Sequence, residues 1–391
     1  MIKVSIARHH DTMIAVNNVL EQCEAHSAAL LLVFAARRHN PEQILTAVQS
    51  MAPGVTVFGG SVVGTITRDV ASYGGYEFAA IAFHPGPDLP QVVAADPCET
   101  TDVAIGRSLG NAIVTASSNL QAVLLFYTSV ANVASRQLHH GTDILAGLLD
   151  GLGAINIDVA GGGLLTGFDF DDSWIITPDG VRKHGAFAVV FPSHLRLETC
   201  VLGACCPIGP PMTITAIDGA RVLSFDGLPA LDALCALLQR KPSSNGNILS
   251  LNLCLGLFNP PSAKVYGESR DVIRVIVSED VNTHSICLLE PDFSVGDQVR
   301  FMLRDNDYMM SSARVIGSKT DSRSIISVYI DCAGRASVLT GTQEEEGVVA
   351  MSGLPGDVPA LGLYSGVEIA SINQIPRSLD LTGVMVSIVR S

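Results

Sequence analysis

The 391-residue chain has few charged side chains: 16% of its residues are charged, against about 25% in an average soluble domain. Basic residues are the scarcer kind, since 24 Lys and Arg stand against 38 Asp and Glu and leave a net charge of −14. Because phosphate neutralisation dominates nucleic-acid affinity, we expect neither a nucleic-acid nor an anionic-membrane partner. Aromatic residues make up only 5%, but hydrophobic residues reach 48%, and the length predicts two domains or a duplicated one.

Several signatures of known sites are missing. The nine cysteines are odd in number and lack Cys-x-x-Cys spacing, which argues against a disulfide framework and a zinc cluster. His-Glu-x-x-His, Gly-x-Gly-x-x-Gly and Gly-Lys-Ser/Thr are also missing, so we expect no zinc enzyme and no nucleotide site. No apolar leader opens the chain, and its longest apolar stretch, 28–36, is far below the roughly 20 residues that span a bilayer. We therefore expect a cytoplasmic protein without membrane insertion.

The first half repeats one pattern about 100 positions apart. An apolar run typical of a strand buried on both faces is followed by a helical pattern, a Gly-Gly-x-x-x-Gly motif and a further strand. The first copy has these at 29–35, 41–51, 59–64 and 76–83, and the second at 122–128, 142–150, 162–167 and 185–191. Two pseudo-symmetric β-α-β-β copies explain this order, and residues 29–83 should superpose on 122–191.

The second half is rich in strand patterns. Asp218-Gly219 is a hairpin turn signal between apolar runs, and an amphipathic helix begins in the stretch after Asp226. Strands are predicted at 212–217, 221–225, 271–278, 284–289, 298–303, 324–330 and 381–389, with a loop at 241–247. The predicted fold class is α/β in the wide sense (mixed α+β). Residues 1–225 would form the duplicated α/β domain, and residues 226–391 a β-rich α+β domain.

Several stretches, taken in order, resemble the FIST family, a two-part sensory module. The stretch 59–64 resembles a motif of its N-terminal half, 206–211 and 226–230 resemble the passage between the halves, and 332–335 and 363–369 resemble two motifs of its C-terminal half. Val367 interrupts the usual Gly-Glu-Ile, and 379–383 replaces the usual late Asn-x-Thr. The resemblance covers nearly the whole chain. It implies small-ligand binding in signal transduction, and some bacterial members are haem proteins that sense nitric oxide and regulate histidine kinases.

The predicted ligand contacts lie in these motifs. Arg335 can grip a carboxylate through two parallel hydrogen bonds, with Glu368 and Tyr364 as polar neighbours, although an internal ion pair between Glu368 and Arg335 is an alternative. Cys332 is a candidate ligand contact and a weak candidate nucleophile, because a nearby guanidinium favours the thiolate, whereas a buried thiol is inert. The glycine pairs Gly59-Gly60 and Gly162-Gly163 mark either tight turns or a ligand that approaches bare backbone.

The adjacent His139 and His140 are the candidate axial ligands if haem binds, and a capping or solvated pair is the alternative. The first hypothesis is a cytoplasmic sensor of an amino acid or organic acid that acts through a separate partner, such as a histidine kinase. The alternatives are a haem sensor of nitric oxide or another diatomic gas, and an enzyme that uses Cys332.

Overall fold

A computed structural model describes most of the chain and confirms the mixed α/β class. The described residues are 1–116, 122–134, 137–153, 155, 157–170, 172–242, 252–258, 272–316, 323–372 and 375–391. Most of the predicted loop 241–247 and the first residue of the predicted strand 271–278 lie outside this set. None of the helices in these residues is long and apolar enough to cross a membrane.

Three six-stranded sheets surround a shared apolar core. From edge to edge, the first sheet contains β1 (Ile2–Arg8), β6 (Glu77–Phe83), β2 (Leu30–Ala35), β3 (Thr56–Ser61), β12 (Ile175–Thr177) and β13 (Gly180–Arg182). The second contains β27 (Ile375–Leu379), β26 (Val367–Ile372), β11 (Asp158–Leu164), β8 (Ala122–Thr128), β14 (Ala186–Phe191) and β7 (Gln91–Ala94). The third contains β15 (Leu195–Leu202), β28 (Gly383–Arg390), β24 (Ser324–Cys332), β25 (Ala360–Ser365), β4 (Gly64–Ile66) and β5 (Ala71–Ser72).

Helices cover the outer face of each sheet. The α-helices are α1 (Thr12–Gln22), α2 (Pro41–Met51), α3 (Asp102–Ala116), α4 (Gly141–Leu152), α5 (Ala230–Leu237), α6 (Asn306–Ile316), α7 (Ser337–Thr340) and α8 (Glu346–Ser352), and Ala25–Ser27 and Ala333–Arg335 are 3-10 turns. α1 and α2 pack on the first sheet, α3 and α4 on the second, and α6 and α8 on the third. Every residue of β2 and β8 is buried, as predicted for strands that are covered on both faces.

The β-rich second half contains a small closed barrel. Its strands are β16 (Cys205–Pro207), β17 (Met212–Asp218), β18 (Arg221–Phe225), β19 (Leu228–Pro229), β20 (Leu253–Leu257), β21 (Val272–Asp280), β22 (Ser285–Leu288) and β23 (Gln298–Arg304). The predicted hairpin at Asp218-Gly219 joins β17 and β18, and pairing between β20 and β23 closes the ring. The barrel contains strands from both sides of position 226, and the proposed boundary there stays a prediction.

The strand order recurs in all three sheets. In each, a parallel pair lies at the centre (β2 with β3, β8 with β11, β24 with β25) beside an antiparallel partner. We name 2–83 the first unit, 91–191 the second, and 195–202 with 306–390 the third. Each unit contributes one hairpin, named here a lent hairpin, to the sheet of another unit: β4–β5 pairs with β25, β12–β13 with β3, and β26–β27 with β11. The sequence pattern predicted two β-α-β-β copies, and this duplication stays a prediction. The similar strand order of the third sheet was not predicted, because the barrel separates β15 from α6 and β24. The superposition of 29–83 on 122–191 stays a prediction.

Candidate functional site

The four predicted glycines do not lie in tight turns. They lie within β3 and β11, where these strands pair with the lent hairpins β12–β13 and β26–β27. Gly59 pairs with Ile176, and Gly162 pairs with Glu368. A Cβ on Gly59 would lie 1.8 Å from the Val33 carbonyl oxygen, and a Cβ on Gly161 would lie at the same distance from the equivalent carbonyl oxygen, that of Leu125. The matching positions are therefore Gly59 and Gly161, one residue off the equivalence that the motif suggested. Close backbone packing accounts for these glycines.

Arg335 lies fully buried at the carboxyl end of the third sheet. Its Nε lies 2.8 Å from Asp331 Oδ1 and its Nη2 2.9 Å from Glu346 Oε1. Nη1 also donates to the carbonyl oxygens of Leu202 and Leu381. We name Asp331, Arg335 and Glu346 the Arg335 cluster. Its guanidinium is neutralised by internal carboxylates, so a ligand carboxylate would have to displace one of them. This placement does not support the predicted role of Arg335 at an open ligand site.

Glu368 and Cys332 lie beside this cluster and are also buried. Glu368 accepts hydrogen bonds from Ser365 Oγ at 2.9 Å and Thr382 Oγ1 at 3.1 Å, not from Arg335. Burial raises the pKa of Glu368 to about 8, although these hydrogen bonds oppose the change. Burial, and then Glu368, raise the pKa of the Cys332 thiol well above its usual range. Because the thiolate is the nucleophile, this environment suppresses the reactivity expected of Cys332 as a catalyst.

Tyr364 belongs to a hydrogen-bond network that connects the first and third units. Its hydroxyl donates to Glu345 Oε2 at 3.0 Å, and the hydroxyl of Tyr73, which follows β5, donates to Oε1 at 2.5 Å. The backbone N–H of Ser337 donates to the same carboxylate at 3.0 Å. The structure therefore places Cys332, Arg335 and Tyr364 near the carboxyl ends of β24 and β25, with Glu368 close by in β26, and gives their polar groups internal partners. Their role as ligand contacts stays a prediction.

His139 connects two parts of the second unit. Its Nδ1 lies 2.5 Å from Asp102 Oδ1 and its Nε2 3.3 Å from His184 Nδ1, and the residue is buried. The other oxygen of Asp102 accepts the His140 backbone N–H at 2.7 Å. Burial raises the pKa of Asp102, but the hydrogen bonds from His139 and the His140 N–H outweigh it and hold the pKa below its usual range. Asp102 is thus a charged anchor for the loop before α4.

An open pocket lies at the His184 end of these contacts. Its volume is about 280 Å³, and it is lined by residues 130–134 together with Asp172, Lys183 and His184. We name it the His184 pocket. Lys183 Nζ lies 3.1 Å from Asp172 Oδ2, so the wall carries both signs of charge. Partial burial, and then His139, lower the pKa of His184, which keeps its imidazole neutral at pH 7.

The first turn of α4 is held by the barrel. Glu290, which follows β22 and is 1% exposed, accepts the N–H of Gly141 at 2.9 Å and that of Thr142 at 3.1 Å. A helix N-terminus carries unpaired N–H groups and partial positive charge, so a carboxylate there is stabilising. The Glu290 carboxylate also accepts a hydrogen bond from Ser378 Oγ of the lent strand β27. The loop with His139 and His140 is therefore attached to both halves of the chain.

Sequence reasoning missed most of this second arrangement. Asp102 opens a helical pattern and is separated from His139 by 37 positions, so no local spacing relates them. Glu290 is more distant still, 149 positions from Gly141. Lys183-His184 gives one usable signal, since a Lys-His pair directly before an apolar strand places polar groups at its end.

The residues proposed to hold a haem do not fit one. Haem binding requires a free imidazole beside a deep cavity, yet both ring nitrogens of His139 already have partners. His140 precedes the first turn of α4, and its Nδ1 lies 3.4 Å from Asp143 Oδ2 at the surface. The neighbouring His184 pocket, at about 280 Å³, is small for a group as large as a haem macrocycle, and its wall is charged.

Comparisons with known proteins agree with the motifs. Residues 29–228 match the FIST N domain and residues 230–371 match the FIST C domain. An uncharacterized protein of Mycobacterium bovis is 25% identical over 219 residues, which are 55% of this chain and 56% of the relative. An uncharacterized protein of Mycobacterium tuberculosis is 25% identical over 198 residues, 49% of each chain. The chain therefore spans about half the length of the curated relatives it matches. A crystal structure of a chorismatase aligns at a TM-score of 0.36 and 11% identity, over 100% of this chain and 98% of that one.

Proposed function

This chain belongs to the FIST family of signal-transduction sensor domains, and we propose that it senses a free amino acid bound in the His184 pocket. The volume of about 280 Å³ suits a small ligand. An amino acid carries one carboxylate and one ammonium group. Lys183 and Asp172 carry the complementary charges and now pair with each other. On binding, Lys183 would pair with the ligand carboxylate and Asp172 with the ligand ammonium group. His184, neutral at pH 7, adds a hydrogen-bonding group without a further charge.

The observation that carries this proposal is a continuous series of contacts from the pocket to the C-terminal half. His184 contacts His139, and His139 contacts Asp102, which holds the His140 N–H at the start of α4. Glu290 holds the next two N–H groups of the same turn. A ligand that shifts His184 therefore acts on a turn to which both halves are bonded, which is what a sensor needs to report binding at a distance.

A sensing role suits this chain better than catalysis by Cys332, because burial favours the protonated thiol. We propose that the signal passes to a separate protein, and the family resemblance suggests a histidine kinase. The cytoplasm is the proposed compartment, and the nine free cysteines are compatible with its reducing conditions.

Calorimetric titration with each of the twenty amino acids tests the proposal. We expect saturable binding by a subset, weakened at least about tenfold by Lys183→Met and by Asp172→Asn, since each removes one charged hydrogen bond. Lys241→Met is the matched control, because Lys241 is exposed and far along the chain from the pocket. No binding by any amino acid, or binding unchanged in both pocket variants, overturns the proposal.

A further inference from the structure

Three donor groups converge where α3 and α4 begin. Asp102 and Asp143 each offer one carboxylate oxygen, and His140 offers one imidazole nitrogen. These three atoms lie within 4.8 Å of one another. They come from two segments, since Asp102 is the first residue of α3 while His140 and Asp143 flank the start of α4. From this geometry we propose that they bind a divalent first-row transition ion, independently of the amino acid.

The donor set indicates the class of ion. Two carboxylates favour a hard divalent cation, while the imidazole favours a transition ion over Mg²⁺ or Ca²⁺. Bonds of about 2.1 Å place the donor atoms on one ion about 3–4 Å apart. A side-chain shift of about 1 Å therefore brings the three donor atoms to the separation that an ion requires. The side chains of His140 and Asp143 are 38% and 41% exposed and already lie 3.4 Å apart, which gives them room for that shift. Three protein ligands leave the remaining positions to water.

The surroundings of Asp102 resemble the outer shell of a metal site. Metal-ligating carboxylates and histidines are usually fixed by hydrogen bonds from neighbouring groups. Here His139 holds one Asp102 oxygen at 2.5 Å, and the His140 backbone N–H holds the other at 2.7 Å. Each carboxylate oxygen has a second lone pair, so these bonds leave acceptors for an ion. Within the described residues, Asp102 and Asp143 both pair with histidine instead of Lys or Arg.

Helix capping alone does not account for this arrangement. His140 occupies the N-cap of α4, a position that favours Ser, Thr, Asp or Asn, and its side chain makes no capping hydrogen bond. The imidazole is turned to Asp143 instead. The positive ends of α3 and α4 oppose a cation, but each costs at most about fivefold in affinity at an exposed position. Two carboxylates and an imidazole on one ion outweigh that cost.

Mn²⁺ is the appropriate probe, because thiolates such as that of the exposed Cys98 favour softer ions. The full chain is freed of metal with a chelator and titrated with Mn²⁺ alone, and free ion is followed by electron paramagnetic resonance. We expect one bound Mn²⁺ per chain, with affinity lowered at least about tenfold by His140→Ala and by Asp143→Asn. The matched control is His284→Ala, because His284 lies 2.8 Å from Asp232 on the surface without a third donor in the described set.

Absence of stoichiometric Mn²⁺ binding overturns the proposal. So does an affinity that stays within about threefold of the wild type in either site variant, or an equal loss in His284→Ala. Far-ultraviolet circular dichroism of every variant identifies loss by unfolding, and a folded Asp143→Asn then decides, because this exposed substitution keeps the side-chain shape. Failure here leaves the amino-acid calorimetry unaffected, since no amino acid is present.

Discussion

Glu290 Oε1 accepts the backbone N–H of Gly141 at 2.9 Å across 149 positions of sequence. The bond joins the barrel to the helix that follows the histidine loop. The partners are buried, so water does not replace the bond readily if it breaks. This contact makes the second unit and the C-terminal half one hydrogen-bonded structure, and it is where a ligand signal would cross.

Glu290→Gln should destabilise the protein by about 1–3 kcal/mol, because an amide offers one acceptor oxygen to one buried and one partly buried N–H group. The free energy of unfolding in urea measures the effect. Glu198→Gln serves as the control, since Glu198 pairs with Arg196 at the surface and its loss should cost little. Equal stability of the two variants would show that the contact contributes nothing.

Arg335→Met should be far more destabilising, by about 3–5 kcal/mol, because it leaves the Asp331 and Glu346 carboxyls without their buried cation. Arg314→Met removes an exposed partner of Glu344 and should cost about 0–1 kcal/mol. Thermal unfolding and urea titration compare the two. A stable Arg335→Met protein that has lost affinity for an anionic ligand would instead restore Arg335 as a ligand contact.

The stability should fall as the pH rises through neutrality. The pKa of Glu368 rises from 4.5 to about 8 on folding, so the folded state binds the extra proton between these values. Its contribution to stability is fully present below about pH 4.5 and is lost as the pH approaches 8, with a slope of up to about 1.4 kcal/mol per pH unit. Asp380, whose pKa rises to about 7, acts in the same direction. Glu368→Gln should flatten the profile measured by urea unfolding, and an unchanged profile would contradict this assignment.

Added haemin should give no Soret band that depends on the histidine loop. Both ring nitrogens of His139 have partners, and His140 lies at the surface beside Asp143. Visible absorption of the reconstituted wild type, compared with His139→Ala and His140→Ala, measures this. A sharp band that shifts or disappears in either variant, with unchanged far-ultraviolet dichroism, would show that the loop rearranges to bind haem.

The sequence revealed the elements whose signal is local. The buried strands β2 and β8, the start of α2 at Pro41 and the hairpin at Asp218-Gly219 follow from short patterns, and all are present. The sequence did not predict the third unit, because the barrel interrupts it after β15. It did not predict the lent hairpins either, since strand pairing over such separations leaves no pattern in a single sequence.

The candidate site shows the same division. The sequence predicted a shared site of Arg335 with Glu368 or Tyr364, but it did not predict that these residues are buried, and burial leaves their polar groups bonded internally. Asp102, His184 and Glu290 matter because they meet in space around α4, although they are distant in sequence. Sequence patterns indicate which residue types are present, whereas the fold determines which of these side chains remain accessible to a ligand.

Hydrogen–deuterium exchange, followed by mass spectrometry, tests most directly whether the His184 pocket signals to the C-terminal half. The full chain is compared with and without a mixture of the twenty amino acids, in peptides covering 139–145 and 285–290. We expect slower exchange in both segments with the amino acids present, and loss of this effect in Lys183→Met but not in Lys241→Met. Unchanged exchange in both segments, or protection that persists in Lys183→Met, would contradict this expectation.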